Sequence, residues 1–344
     1  MTTLKVVNVI WAITLLLSLT ACNKASQTSN HQETFYAFGT SVIIQIKGVS
    51  KQTAHNAIQA IEKDFHYLNR EWHAWDKEGM VHKINLAIAN NQSIIVSTEV
   101  KTFIQFSQTL AKQSNYLFDP AIGQLIQLWS FHSEDWQGPP PSDKQIQTWL
   151  DNRPSIKDIY FKDKQLFSHN NQVQLDFGAN AKGLALKRAV QYLHEFNIKN
   201  AIINIGGDMT VIGQKHNQNG QKKNWQVGIQ SPNNPKQVVA IANMLPNTSI
   251  VTSGTYQRYF TWQGKHYSHL LNPNTGKPAN TFASVTVIHP DPTLADAAAT
   301  AILIAGKEHW KTIAKQMGIT EVFIIDHQEN IINTSKNITL KILS

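Results

Sequence analysis

The sequence predicts an α+β fold, and three observations carry that expectation. Strand-like and helix-like apolar periodicities interleave without the strict alternation of a doubly wound sheet. No internal repeat of fixed period is present. No long linker divides the chain after its N-terminal region. At roughly 100–200 residues per domain, 344 residues allow two compact domains or one large one. Hydrophobic residues make up 42% and charged residues 16%, with nine Trp, which excludes a wholly disordered chain. Lys and Arg number 31 against 23 Asp and Glu, a formal charge of +8. That balance suits an anionic ligand and is too mild and too evenly spread for nucleic acid.

The first element is a short basic start, Met1–Lys5, followed by the apolar run Val6–Leu19. The run ends at Leu19-Thr20-Ala21-Cys22, where the small residues of a cleavage site meet the chain's single cysteine. Residues 1–22 read as a secretory signal with a lipobox, and Cys22 as the lipidated residue carrying palmitate-type acyl chains. An ordinary signal peptide with an incidental cysteine, or an uncleaved anchor, is the plainer alternative. No second apolar run approaches the roughly 18 residues of a membrane span, which excludes a multi-span protein. With no other cysteine, the core has no disulfide available. Residues 23–33 are polar and read as a flexible tether, so the folded domain is expected over 34–344.

Thr34–Ile46 reads as strand, a close-approach Gly39, then strand. Ala54, Ile58, Ile61, Phe65 and Leu68 have helical spacing within Lys51–Trp72. A second helix is predicted over Thr98–Ser114, a surface loop at Gly138–Pro141, and a helix over Ser142–Leu150. Ile159–Phe167 and Gln172–Asp176 read as strands joined by a turn at Ser168–Asn171. A helix follows over Ala181–Phe196. Further strands are expected at Ala201–Gly206, Trp225–Gln230, Ser249–Ser253, Tyr256–Trp262 and Ser284–His289. Thr293–Ala305 is an Ala-rich helix that must pack closely against a neighbour.

Four clusters could carry chemistry. In Asp176–Gly183 a Gly-containing turn leads into a helix start, a place that receives phosphate, with Lys182 adding a cation. A helix cap with an exposed lysine explains the same residues, and the pattern is not a Walker A loop. Asn204-Ile205-Gly206-Gly207-Asp208 ends a buried strand in paired glycines, either a plain turn or a close approach to a ligand. Thr252–Phe260 and Gly264–Pro278 are dense in polar, ring-bearing and turn-forming residues. His269 there is either a catalytic base or one structural histidine among fourteen, and Arg258 can pair with a phosphate or a carboxylate. Asp296 and Thr300 are four apart on one helix face, where a carboxylate and a hydroxyl can hold a hard divalent ion, unless Asp296 merely caps the helix.

Taken together, these pieces resemble the ApbE-type lipoproteins, the FAD:protein FMN transferases. The resemblance runs in order through Gly39-Thr40, Leu117–Gly123 with Leu128-Trp129, Asp176–Gly183, Asn204–Asp208, Thr252-Ser253-Gly254 with Tyr256 and Arg258, Tyr267–Pro273 with Thr275-Gly276, and Ser284–Val287 with Asp296 and Thr300. It implies an ApbE-like, T-fold-like arrangement of mixed sheets packed with helices. It also implies a reaction in which FAD is the substrate, FMN passes to a Thr or Ser hydroxyl of a target flavoprotein subunit in a membrane redox complex, and AMP leaves. By position, Phe38, Trp75, Leu117, Phe118, Asp119, Asp176, Lys182 and Leu271 correspond to flavin-nucleotide contacts. Ala179, through its carbonyl, with Asp296 and Thr300, corresponds to a Mg²⁺ site, and His269 to the general base. The resemblance implies a lipid-anchored protein on the periplasmic side of the membrane, at the inner membrane where such acceptors sit, although Asn23 after Cys22 is not a clear signal for inner over outer. Two other uses of such a site are a FAD pyrophosphatase and a non-catalytic flavin-binding lipoprotein. Three positions depart from the family pattern: Phe38 stands in place of Met before Gly-Thr, Asn272 in place of Asp before Pro273, and Thr255 where a small acidic or polar residue is common.

Overall fold

The computed structural model describes residues 30–133, 138–216 and 221–340. The signal, Cys22 and residues 23–29 of the expected tether lie outside these. Strands β1 (Asn30–Ala37) and β2 (Thr40–Lys47) form an antiparallel hairpin. The tether therefore ends earlier than its composition suggests. Asn30–Glu33 are polar, yet they pair with Ile44–Lys47, because a partner strand satisfies their main chain whatever the side chains. Gly39 serves the turn and is not a close approach. Phe38 (φ 56°) and Gly39 (φ 69°) both lie in the left-handed region, the two-residue turn whose twist suits a hairpin. Phe38 is held there by its N–H, which donates to Asn69 Oδ1 at 3.1 Å, and by its ring against Phe65.

Helix α1 (Lys51–Trp72) buries the residues its spacing predicts, and Ser50 caps it by accepting from the Thr53 N–H. Helix α2 (Met80–Ala89) has ten residues and escaped the sequence reading. Its buried Asn85 is spent on the main chain of Leu175, donating at 2.9 Å and accepting at 2.7 Å. Helix α3 (Thr98–Gln113), the short α4 (Gly123–Leu128) and α5 (Asp143–Asp151) follow, the last with a Ser142/Gln145 capping box. The stretch expected as one strand over Ile159–Phe167 is a hairpin, Ile159–Lys162 against Gln165–Ser168, turned at Asp163 (φ 53°). Gln172–Asp176 is extended but joins no ladder. It makes one bridge to Ile122, and its main chain is satisfied by Asn85 and by the Pro120 carbonyl. Helix α6 (Ala181–Glu195) then begins as predicted.

Strands β3 (Asn200–Ile205), β4 (Asp208–Ile212), β5 (Trp225–Gln230), β6 (Val238–Met244), β7 (Ser249–Gly254) and β8 (Phe282–His289) lead to helix α7 (Pro292–Gln316). Strands β9 (Glu321–Asp326), β10 (Ile331–Asn333) and β11 (Ile338–Leu340) close the chain. Of the strand expected at Tyr256–Trp262, only Tyr259–Trp262 pairs, with Lys265–Ser268. Tyr256 and Arg258 border a cavity instead. Helix α7 continues past the predicted Ala305, but Gly306 (φ 67°, ψ −172°) breaks it there.

The main sheet has eight strands in the order β1-β2-β3-β4-β7-β8-β9-β10. Every strand pair described is antiparallel, so the expected mixture lies in helices with sheets and not in strand direction. Period-two alternation sends Val285, Val287, Val322 and Ile324 to a core shared with α1, α6 and α7. Their neighbours Ile288, Phe323 and Ile325 face the other way, onto the small sheet β5-β6-β11. A third apolar cluster, around Leu125, Trp129, Ile146, Trp149 and Phe260, stands beside these layers and is tied in by Trp129 Nε1 donating to the Gly276 carbonyl at 2.8 Å. Among the described residues, no helix is long and apolar enough to cross a membrane.

The alanines of α7 are buried on all sides: Ala295, Ala297, Ala298, Ala299 and Ala301 have no exposed surface. Small side chains let this helix lie close to both α6 and the sheet. Ala298→Leu forces extra atoms into that space and is expected to destabilise the fold by about 1–3 kcal/mol, read as a lowered urea midpoint. An unchanged midpoint would mean the packing is looser than described.

Candidate functional site

A cavity of about 1110 Å³ opens where the β1–β2 turn, the start of α6, the first turns of α7 and the segment after β7 converge. All twelve residues expected at a nucleotide, metal or catalytic position border it: Phe38, Trp75, Leu117, Phe118, Asp119, Asp176, Ala179, Lys182, His269, Leu271, Asp296 and Thr300. They come from segments as far apart as 38 and 300 in the chain.

The centre of the site is a helix crossing. Gly183, in the first turn of α6, faces the start of α7 so closely that a Cβ would meet the Pro292 carbonyl at 2.5 Å. That approach lets the Gly183 N–H donate to Asp296 Oδ2 at 2.9 Å. As the third residue of α6, Gly183 has no partner for this N–H within the helix, and among the described residues no hydrogen bond is made to the Ala179 carbonyl. Ala179 and Asp296 thus border the cavity beside the same helix start. Thr300, one turn along α7 from Asp296, shares a hydrogen bond of 3.0 Å with the Ser253 hydroxyl.

Asp296 is buried and makes no ion pair among the described residues. Burial, with the charge of Asp208 adding to it, pushes its carboxyl up to about 7 against the pull of Lys182 and the Gly183 N–H. The three oxygens (carboxylate, hydroxyl, carbonyl) are the donor types a hard divalent cation takes, and the under-compensated carboxylate is one such a cation would relieve. No cluster of three or more His, Cys, Asp or Glu that could hold a metal occurs among the described residues. An ion here would rest on one carboxylate, neutral oxygens and its ligand's own phosphates, which suits Mg²⁺.

Lys182 is committed sideways, in an ion pair with the buried Asp208. Burial opposes the ammonium charge, but Asp208 and Asp296 outweigh it and hold the Lys182 pKa above the usual lysine value. Asp208 is itself fixed by the Thr252 N–H at 3.0 Å.

His269 presents its ring at the cavity wall with Nδ1 3.0 Å from the Arg258 carbonyl. A carbonyl only accepts, so Nδ1 carries the proton and Nε2 is left as an acceptor. Burial, reinforced by the charges of Arg258 and Lys182, pushes the imidazole down to about 4, and the Arg258 carbonyl works the other way. The ring is neutral at physiological pH, the state a proton acceptor requires.

The remaining residues line the rest of the cavity. Trp75 Nε1 donates to Asp176 Oδ2 at 3.2 Å, and Asp176 Oδ1 accepts from the Gly178 N–H at 2.8 Å. Leu117, Phe118 and Leu271 are buried, so what they offer a ligand is largely main chain. Asp119 Oδ1 accepts from the N–H groups of Ala121 and Ile156, and burial holds its pKa above the usual carboxylate value. The Asn272 departure is accounted for locally. Its side-chain oxygen accepts from the Asn274 N–H at 2.8 Å and so closes the loop as an aspartate would.

Four features of the site went unnamed in the sequence. These are the Asp208 partner of Lys182, the Ser253 partner of Thr300, the Gly183 contact, and His132, which sits 5.0 Å from the Trp75 ring. Asp208 and Ser253 fall inside motifs already singled out, so the signal was present. Their partners are set by tertiary contact alone.

The model of the ApbE family matches residues 38–324. A Rhodobacter capsulatus protein named FAD:protein FMN transferase is 36% identical over 88% of this chain, which spans 56% of that relative's length. A Haemophilus influenzae protein of the same name is 25% identical over 97% of this chain and 96% of its own. Among solved structures, the ApbE protein of Thermotoga maritima superposes with a TM-score of 0.80 at 30% identity, covering 89% of this chain and 97% of that one. A flavin transferase ApbE from Vibrio cholerae, at 22% identity and a TM-score of 0.76, shares the fold.

The environment of His269 is directly measurable. Its ring protons, followed by NMR, are expected to titrate near pH 4 with Nδ1 protonated above that. A midpoint near the unperturbed value of about 6.5 would show that the ring is not held as described.

Proposed function

The chain belongs to the ApbE family, and on that premise we propose that it transfers FMN from FAD to a threonine or serine hydroxyl of a protein acceptor, with release of AMP. The observation that carries this reading is the convergence on one cavity of a neutral, oriented imidazole and an all-oxygen cation set. Relatives named FAD:protein FMN transferase supply the reaction class.

The reaction needs charge neutralisation and alignment more than covalent help from the protein. The acceptor oxygen forms a bond to the phosphorus of the FMN half. The P–O bond of the pyrophosphate breaks, and AMP leaves with the bridging oxygen. His269 Nε2 takes the hydroxyl proton, while Nδ1–H on the Arg258 carbonyl keeps the ring aimed. Asp296, Thr300 and the Ala179 carbonyl would hold Mg²⁺, which when bound neutralises charge developing on the phosphates. Lys182 lends positive potential to the same wall, and its tie to Asp208 keeps it from pairing with Asp296. Trp75, with its N–H on Asp176, offers a ring face to a flavin or adenine.

We further propose that residues 1–22 form a lipid-attachment signal cleaved ahead of Cys22, which stays as the acylated N-terminus, and that the enzyme works tethered to the periplasmic face of the inner membrane. The motif Leu19-Thr20-Ala21-Cys22 supports this, as does the need to meet membrane-bound acceptors.

Transfer is tested by incubating the protein with FAD, Mg²⁺ and a candidate acceptor domain, then reading flavin fluorescence on a denaturing gel. Asp296→Asn keeps an oxygen for the Gly183 N–H but removes the charge. It is expected to cut labelling on the order of 100-fold or more with an unchanged circular dichroism spectrum. Wild-type labelling by that variant would move the cation site elsewhere, and rapid AMP release without acceptor would favour the hydrolase. For the anchor, Cys22→Ser in the full chain is expected to abolish palmitate incorporation and shift the protein out of the membrane fraction. Retention of both would refute lipidation at Cys22.

A further inference from the structure

Strand β5 has an unused edge. It lies at the margin of the small sheet, and among the described residues only β6 pairs with it. Its outward groups can be assigned. The Ser231 N–H donates to the Gln237 carbonyl at 2.9 Å and so points toward β6. Ile229 pairs with Ala240 and Gln230 with Val238, so the extra residue of the bulge is on β6 and β5 stays regular. Main-chain direction alternates along a regular strand. Ile229 and Val227 therefore also face β6, and Gln226, Gly228 and Gln230 direct their N–H and C=O groups outward. The far side of β6 agrees: Asn243, opposite Gln226, donates its N–H to the Asn337 carbonyl, away from β5.

This edge meets the site already described. Val227, Gly228, Ile229 and Gln230 all border the cavity that holds His269 and Asp296. Their side chains alternate between the two faces of the sheet. Consecutive residues from both faces border one cavity where it runs along the strand's edge. Gly228 is exposed.

We propose that the acceptor protein docks here as an added strand. An extended segment pairs its main chain with the outward groups of Gln226, Gly228 and Gln230 and carries its hydroxyl into the cavity toward His269. This rests on the transferase reading and specifies how that reaction selects its substrate. A row of main-chain donors and acceptors recognises a polypeptide of loosely specified sequence, and neither water nor a small alcohol would need it.

The test compares wild type with Gln226→Pro and Gln230→Pro, using an acceptor domain labelled by the wild-type enzyme. Proline at an outward position of an edge strand removes one N–H and leaves the β5–β6 ladder in place. Each variant is expected to raise KM for the acceptor about fivefold or more, the loss of one main-chain hydrogen bond, while KM for FAD stays within about twofold. Gln230→Ala keeps the N–H and measures what the side chain alone contributes. N-methylation of alternate residues in a peptide spanning the acceptor threonine adds a readout that a fold defect would not give. Methylating one alternating set should block labelling and the other should not. Equal acceptor KM in wild type and both proline variants, or no alternation, overturns the docking edge but leaves the transferase reading intact. Failure of the wild type to label any acceptor overturns both.

Discussion

The site depends on one hydrogen bond, from the Gly183 N–H to the Asp296 carboxylate. It exists only because residue 183 has no side chain and the alanines of α7 let two helices nearly touch. The bond fixes the carboxylate at the start of α6, where main-chain N–H groups favour negative charge. It uses one of the main-chain donors that a helix start leaves unpaired. Two parts of the chain more than a hundred residues apart are thus joined at the cavity wall. A site built on a helix–helix contact of this kind is positioned more tightly than one built on loops.

Around that point the charges are sorted by burial. Asp208 takes Lys182 as its partner, and Asp296 is left under-compensated in a dry place. Removing one member of a buried pair strands the other, so Lys182 and Asp208 are best read as a unit that sets the field of the wall. His269 is treated in the opposite sense. Two neighbouring cations and a low-dielectric setting keep its ring uncharged. A cation-seeking carboxylate and a neutral base in one cavity form a division of labour that phosphoryl transfer can use.

Much of this was legible before the structure. The helices of regular period, the strands at Ala201 and Trp225, and the Asp296/Thr300 face follow from spacing that a reader can count. The resemblance to the ApbE family named twelve cavity residues that period alone could not have grouped. What escaped depends on contacts between distant elements. Helix α2 is short, with Asn85 breaking its apolar face, and Asn85 is explained only by Leu175 across the core. Gln172–Asp176 looks like a strand in composition, yet its partners are a loop and a side chain. Phe38 gives no sign of its left-handed backbone, because the restraint comes from Asn69 thirty-one residues later.

The break at Gly306 has a mechanical consequence. Each residue of an α-helix turns the axis by about 100°, so a continuous rod would lock the angular setting of its inner half to everything appended beyond it. A glycine with φ 67° and ψ −172° uncouples the two halves. The stretch bearing Asp296 and Thr300 is set by Gly183, while the turns beyond Gly306 are set separately by Trp310, Ile313 and Ala314 in the core. The two halves can therefore meet their neighbours at different angular settings, which one unbroken rod could not do.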